Sequence, residues 1–306
     1  MRLALMAACI ALLPTVPAQA QPARPPIDVV AAENFYGDVA GQIAGPDVHV
    51  TSVLSNPDED PHLFEASPSI ARALSAARIV VYSGIDYDPW MAKLLGATRS
   101  GAPRSGPSQS GTPQSNERQV IVVAGRVGRK SGDNPHIWYD TATMLACARA
   151  LAEALDAADP AHKEAYDQRL ARFEASIAPI QARIAALRQR LAGTPVTATE
   201  PVFGYMFDAL GMQVRNLPFQ LAVMNGTEPS ASDVAAFETD LRTHAVRLLV
   251  YNAQAADPIA QRMELLAKAA HIPVVGATET EPPGKTYQAW MLAELDAVAT
   301  ALPPPE

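Results

Sequence analysis

Cysteine is almost missing from this chain: Cys9 and Cys147 are the only two, and the first lies in the leading apolar segment. A single remaining thiol closes no intramolecular disulfide and builds no thiolate metal cluster. Within the alanine-rich helical pattern TMLACARALAEAL, Cys147 reads as a small buried hydrophobe. Positive charge is also short, with 24 Lys and Arg against 32 Asp and Glu and a net charge of −8. An acidic chain is a poor partner for nucleic acid or an anionic membrane. After residue 20 no run approaches the roughly 20 apolar residues of a membrane helix. Neither His-Glu-x-x-His nor Gly-x-Ser-x-Gly occurs, and GRVGRKSG at 125–132 lacks the glycine–lysine spacing of a phosphate loop, so it reads as a solvated basic turn.

What is present begins with MRLALMAACIALLPTVPAQA, which has one positive charge at Arg2, an apolar run from Leu3 to Leu13 and a small-residue ending at Ala20. This is the pattern of a secretory signal cleaved before Gln21. Cys9 lies too early in it for lipid attachment. The expected mature protein carries −9, because Arg2 leaves with the signal, and is soluble in the periplasm.

From Ile27 short Val/Ile runs alternate with amphipathic stretches: IDVVAA, FYGDVAGQIAG, VHVTSVL, SPSIARALSAA, RIVVYSG, DPWMAKLLGA, QVIVVAG. Continuous apolar strands interleaved with helices predict a parallel sheet covered on both faces. The segment 98–118 changes to Gly, Ser and Pro and predicts a flexible loop without a core of its own. Asp159-Pro160 marks a break and a helix start. A helix of roughly 30 residues, about 45 Å long, follows, with a bend expected at Pro179. Leu170, Phe173, Ile177, Ile180, Ile184 and Leu187 give it one apolar face. Strand and helix then alternate again through PVTAT, VFGYMFDALG, SASDVAAFETDLRTH, VRLLVYN, DPIAQRMELLAKAAH, IPVVGAT and YQAWMLAELDAVATAL. The expected fold is α/β with two parallel-sheet lobes, an N-terminal lobe over 21–158 and a C-terminal lobe over 194–306, joined by a linking helix over 159–193.

Ligands of open α/β sheets bind where loops leave the carboxyl ends of the strands. His62 follows VHVTSVLS, His136 follows QVIVVAG, Glu200 closes PVTAT and Glu279 closes IPVVGAT. Two imidazoles and two carboxylates, two from each lobe, suit a divalent transition metal held across the cleft. A loop histidine alone is more often a polar surface residue, and capping or solvation accounts for His49, His162, His244 and His271. Asp58, Glu59 and Asp60 read most simply as a solvated acidic turn, although Asp60 could orient a ligating histidine. Tyr205 and Trp138 read as packing.

The stretch NFYGDVAGQIAGPDVHVTSVLSNPDEDPHLFEASPS, followed by RIVVYSGIDYDPWM and DNPHIWYDTATM, resembles the metal-binding solute-receptor family of bacterial zinc and manganese ABC transporters. DPHLFEASP and NPHIWYD, in this order and spacing, are its specific motifs. The resemblance implies that His62 and His136 are the first and second ligands and that Glu200, opening EPVFGYMFDALG, is the third. The fourth is an acid after the last strand. Here TETEPPG departs from the usual aspartate, offering Glu279, which follows the strand more directly, or Glu281. It also implies a monomer that carries Zn2+ or Mn2+ as cargo and passes it to an ABC transporter permease in the inner membrane. The histidine-rich loop of many zinc-type relatives is missing. Carboxylate oxygen favours manganese relative to an all-histidine site, whereas zinc stands above manganese in intrinsic affinity, so ligand type leaves both open. A metal-dependent hydrolase would keep a coordination position for water beside a general base, and an extracellular adhesin on the same fold would leave no signature in these residues.

Overall fold

A computed structural model describes residues 26–46, 48–56, 64, 67–99 and 118–304. The expected signal segment 1–20, His62 with Asp58, Glu59 and Asp60, and residues 100–117 of the expected loop lie outside the described residues.

In the N-terminal lobe β1 (Ile27–Glu33), β2 (Val48–Leu54), β3 (Ile79–Tyr82) and β4 (Gln119–Val122) form one sheet in the order β2-β1-β3-β4. All pairings are parallel. Each strand therefore needs a crossover, supplied by α1 (Asn34–Ala44), α2 (Pro68–Ala76) and α3 (Pro89–Arg99). β1 takes an inner position and is buried from Val29 to Glu33, as its unbroken apolar run requires. The strand expected over QVIVVAG stops at Val122, where α4 (Val123–Arg126) begins. Val123 and Ala124 are buried against the core, so apolar residues that read as strand serve the same packing from a helical turn.

Asp140 caps α5 (Thr141–Ala158) by accepting the Ala142 N–H at 3.0 Å. After a short 3₁₀ turn at Pro160–His162, α6 (Lys163–Leu191) runs for 29 residues, about 44 Å at 1.5 Å per residue. It passes through Pro179 without ending. Tyr166, Phe173, Ile177, Ile180, Leu187 and Leu191 are its buried face, with Leu170 and Ile184 partly buried beside them.

The C-terminal lobe repeats the same strand permutation. β5 (Pro195–Ala198), β6 (Gln213–Val214), β7 (Leu249–Asn252) and β8 (Val274–Ala277) stand in the order β6-β5-β7-β8, all parallel. They alternate with α7 (Gly204–Leu210), α8 (Leu217–Met224), α9 (Ala231–Arg242), α10 (Pro258–Ala269) and α11 (Tyr287–Ala301). β6 and α8 carry no sequence signal: one is two residues long, and the other, LPFQLAVM, has no polar stripe to reveal a period.

One continuous core joins the lobes. Phe35 stacks on Trp138 with centroids 4.7 Å apart, Tyr139 meets Phe203 at 5.2 Å and Trp290 at 5.6 Å, and all five rings are buried. Hydrogen bonds cross the same seam: the Tyr287 hydroxyl donates to Trp138 O, and the Tyr139 hydroxyl donates to Thr278 O. Asn34 binds both backbone groups of Glu281. Trp290→Ala should cost about 3–5 kcal/mol by opening a cavity in this shared core. Urea unfolding should remain a single transition in both proteins. Two separable transitions would show that the lobes are energetically independent.

Candidate metal centre

The carboxyl ends of both sheets point into the seam, and the strand-end loops place the candidate ligands there. His136 opens a 3₁₀ turn, Ile137–Tyr139, anchored by the buried aromatics. Asn134 shapes the turn: its Oδ1 accepts the His136 backbone N–H at 3.1 Å and lies 2.7 Å from His136 Nδ1. The Asn134 Nδ2 donates to Pro201 O in the other lobe at 2.7 Å. With the amide so oriented, Nδ1 carries the proton and Nε2 presents its lone pair. His136 Nε2 faces Glu279 Oε2 at 3.6 Å, and both side chains are fully buried.

Glu200 and Glu279 leave β5 and β8 in the second lobe and are also buried. They are joined through Asn252, whose Nδ2 donates to Glu279 Oε1 at 2.6 Å and Glu200 Oε1 at 3.3 Å. The Tyr87 hydroxyl donates to Glu279 Oε2 at 2.9 Å. Burial, and then the nearby carboxylate of Glu279, hold the Tyr87 phenol well above its ordinary pKa, so it remains a donor. Among the described residues no three ligand-type side chains gather around one point. His136 and Glu279 meet directly, while Glu200 joins them through an amide. His62 lies outside the described residues. Glu281 points elsewhere: burial, and then Asp38 of α1, push its carboxyl up to about 8.

The turn that carries Tyr87 is strained. Gly84, Ile85 and Asp86 all have left-handed φ values of 74°, 56° and 65°, a cost of order 1–3 kcal/mol for each non-glycine residue. Asp88 holds the turn by accepting the N–H groups of Ser83 at 2.6 Å and Gly84 at 2.8 Å. Beside Asp88 lies Glu33, fully buried at the end of β1 with no conventional donor in reach of either oxygen. Burial and then Asp88 raise Glu33 well above the usual carboxylate range, and burial pushes Asp88 up to about 7. Both neighbouring carboxyls are thereby biased towards their protonated forms.

Sequence reading missed these supports. Asn134 was visible in the Asn-Pro-His spacing, because an asparagine two residues before a histidine can bond back to it. Tyr87 and Asn252 had no local signal. Tyr205 does more than pack: its hydroxyl donates to Asn134 O at 2.7 Å. Trp138 is core, as its surroundings require. His49 and His162 pair with Asp28 and Asp159 near the surface. Cys147 is buried and free. A cavity of about 570 Å³ opens beside Asn134, Pro201 and Tyr205 and is walled by Leu217 and Leu221. Neither His136 nor Glu279 lines it.

Two lobes of identical strand order, with acids and an imidazole buried where they meet, define a two-lobed binding protein. The chain belongs to the family described as zinc-uptake complex component A, periplasmic, which matches residues 29–301. This is a family of substrate-binding proteins of importers rather than of enzymes. A putative metal-binding protein of Treponema pallidum is 26% identical over 73% of this chain and 71% of its own length. The metal ABC transporter substrate-binding lipoprotein ScbA of Streptococcus cristatus is 22% identical over 90% and 89%. The solved periplasmic zinc-binding protein TroA of Treponema pallidum superposes with a TM-score of 0.73 at 19% identity, over 90% of this chain and 99% of that one.

Two outcomes follow from the supports. Burial keeps Glu33 and Asp88 protonated in the fold at acid pH, so their contribution to stability falls as pH rises above the ordinary carboxylate range, that of Asp88 being lost through about 7. In Glu33→Gln the fall in Tm of metal-free protein between pH 5 and 8 should therefore be shallower than in the wild type. Equal slopes would remove the pair from the account. Asn134→Ala should weaken metal affinity roughly 10- to 100-fold, as loss of a ligand-orienting partner does, and an unchanged affinity would refute that role.

Proposed function

We propose that this protein is the periplasmic receptor of an ABC importer, capturing one divalent transition metal ion, Zn2+ or Mn2+, as cargo in the cleft and delivering it to the inner-membrane permease. The ligand set is His62 and His136 from the N-terminal lobe with Glu200 and Glu279 from the C-terminal lobe. The observation that carries this reading is the fully buried approach of His136 Nε2 to Glu279 Oε2 at 3.6 Å, with the imidazole tautomer fixed from behind by Asn134. Buried charge persists only when paired or coordinated, and a cation between these groups supplies that pairing. Two carboxylates and two neutral imidazoles neutralise a 2+ ion. Glu279 is the fourth ligand rather than Glu281, because Glu279 Oε2 faces His136 while the Glu281 backbone is held by Asn34 and its carboxyl lies near Asp38.

Calorimetric titration of metal-stripped mature protein with zinc, and separately with manganese, should give one ion per chain. His62→Ala and His136→Ala should each abolish tight binding, whereas Glu279→Ala should weaken it far more than Glu281→Ala. The reverse order of the two glutamates would overturn the fourth ligand, and no stoichiometric binding would overturn the receptor.

A further inference from the structure

We propose that Asn252 sets the ion preference of this site by withholding one oxygen from each carboxylate ligand of the C-terminal lobe. The inference rests on Glu200 and Glu279 being those ligands. β7 lies between β5 and β8 in the sheet, so the residue closing β7 stands between the two acids that follow its neighbours. That residue is Asn252. A primary amide has two N–H groups, and here one Nδ2 serves Glu279 Oε1 at 2.6 Å and Glu200 Oε1 at 3.3 Å.

The amide is itself held. Its Oδ1 accepts the Gln254 N–H at 3.0 Å, which fixes the end that faces the acids, and its own backbone N–H donates to Thr199 Oγ1 at 3.2 Å. The Gln254 side chain continues the clamp: its Oε1 accepts the N–H groups of Glu279 at 2.6 Å and Thr280 at 2.9 Å, and its Nε2 donates to Thr280 Oγ1 at 2.8 Å. One short loop thus fixes both the backbone and the carboxylate of Glu279. Asn252 does so without charge. A lysine or arginine in its place would neutralise the acids and compete with the incoming cation.

A carboxylate with one oxygen committed to an amide ligates through the other. For Glu279 the other oxygen, Oε2, faces His136 and accepts the Tyr87 hydroxyl at 2.9 Å, a donor whose hydrogen can rotate aside for an ion where the clamped Asn252 amide cannot. Single-oxygen carboxylates and imidazoles satisfy a four-coordinate zinc ion. Manganese prefers a fuller shell of oxygen, which four ligands reach only when carboxylates bind through both oxygens. Asn252 therefore biases the site against manganese and towards ions of low coordination number.

The test is competition titration against a chelator, giving Kd for zinc and for manganese on metal-stripped wild type and Asn252→Ala, with X-ray absorption to read the coordination number of bound manganese. The ratio of the manganese Kd to the zinc Kd should fall by about tenfold or more in Asn252→Ala, within the range that ligand-orienting partners command. The manganese coordination number should rise. Equal weakening of both ions would make Asn252 a purely structural residue and overturn the proposal, as would an unchanged ratio. Should Asn252→Ala not fold, Asn252→Ser, whose single hydroxyl donor serves one acid at a time, should move the ratio in the same direction by a smaller factor. A wild type that binds neither ion would overturn the ligand assignment itself, and this proposal with it, whereas a wild type that binds with an unmoved ratio overturns this proposal alone.

Discussion

The packing of Phe35, Trp138, Tyr139, Phe203 and Trp290 across the seam is the constraint on which the site depends. A parallel sheet sends its strand ends, and hence its loops, out of one edge, and two such sheets make a site only if those edges face each other. Here that alignment is set by rings with little freedom to slide. Three of the five, Trp138, Tyr139 and Phe203, lie within a few residues of His136 or Glu200. The interactions that hold the lobes together therefore also aim the candidate ligands.

Around that fixed frame the polar groups form two tiers. His136, Glu200 and Glu279 are buried at the seam, while Asn134, Tyr87 and Asn252 each bond to one or two of them. Every contact of the second tier is a hydrogen bond from or to a neutral group, so the tier orients charge without cancelling it. Under Tyr87, a turn with two non-glycine residues in left-handed conformation is held by Asp88, which leans on Glu33. Strain at that turn persists because a buried acid takes up two of its N–H groups.

Much of this was legible in the sequence. The seven longer strands and the long helix were apparent because Val/Ile runs and 3.6-residue spacing are strong periodic signals. The four ligand candidates stood out because each is a polar residue at the end of such a run. What escaped has a common physical cause. β6 and α8 are too short or too uniformly apolar to carry a period, and the last residues of QVIVVAG are buried equally well as strand or helix. Tyr87, Asn252 and Gln254 act through partners 25 to 192 residues away in the chain, and no local pattern encodes such a meeting. The choice between Glu279 and Glu281 likewise depends on which carboxyl meets His136, a neighbour far off in sequence.

Each described candidate ligand rides on its own strand-end loop, while the seam is built from Phe35, Trp138, Tyr139, Phe203 and Trp290. Glu200 and Glu279 could each be exchanged during evolution for another donor without re-optimising the aromatic seam, since neither contributes a ring to it, whereas the His136 imidazole packs edge-on against Trp138 with centroids 5.3 Å apart. Such an architecture separates the selection pressures on folding from those on ion choice. A lineage facing a new metal supply could retune a single loop, one donor at a time, while inheriting the scaffold unchanged.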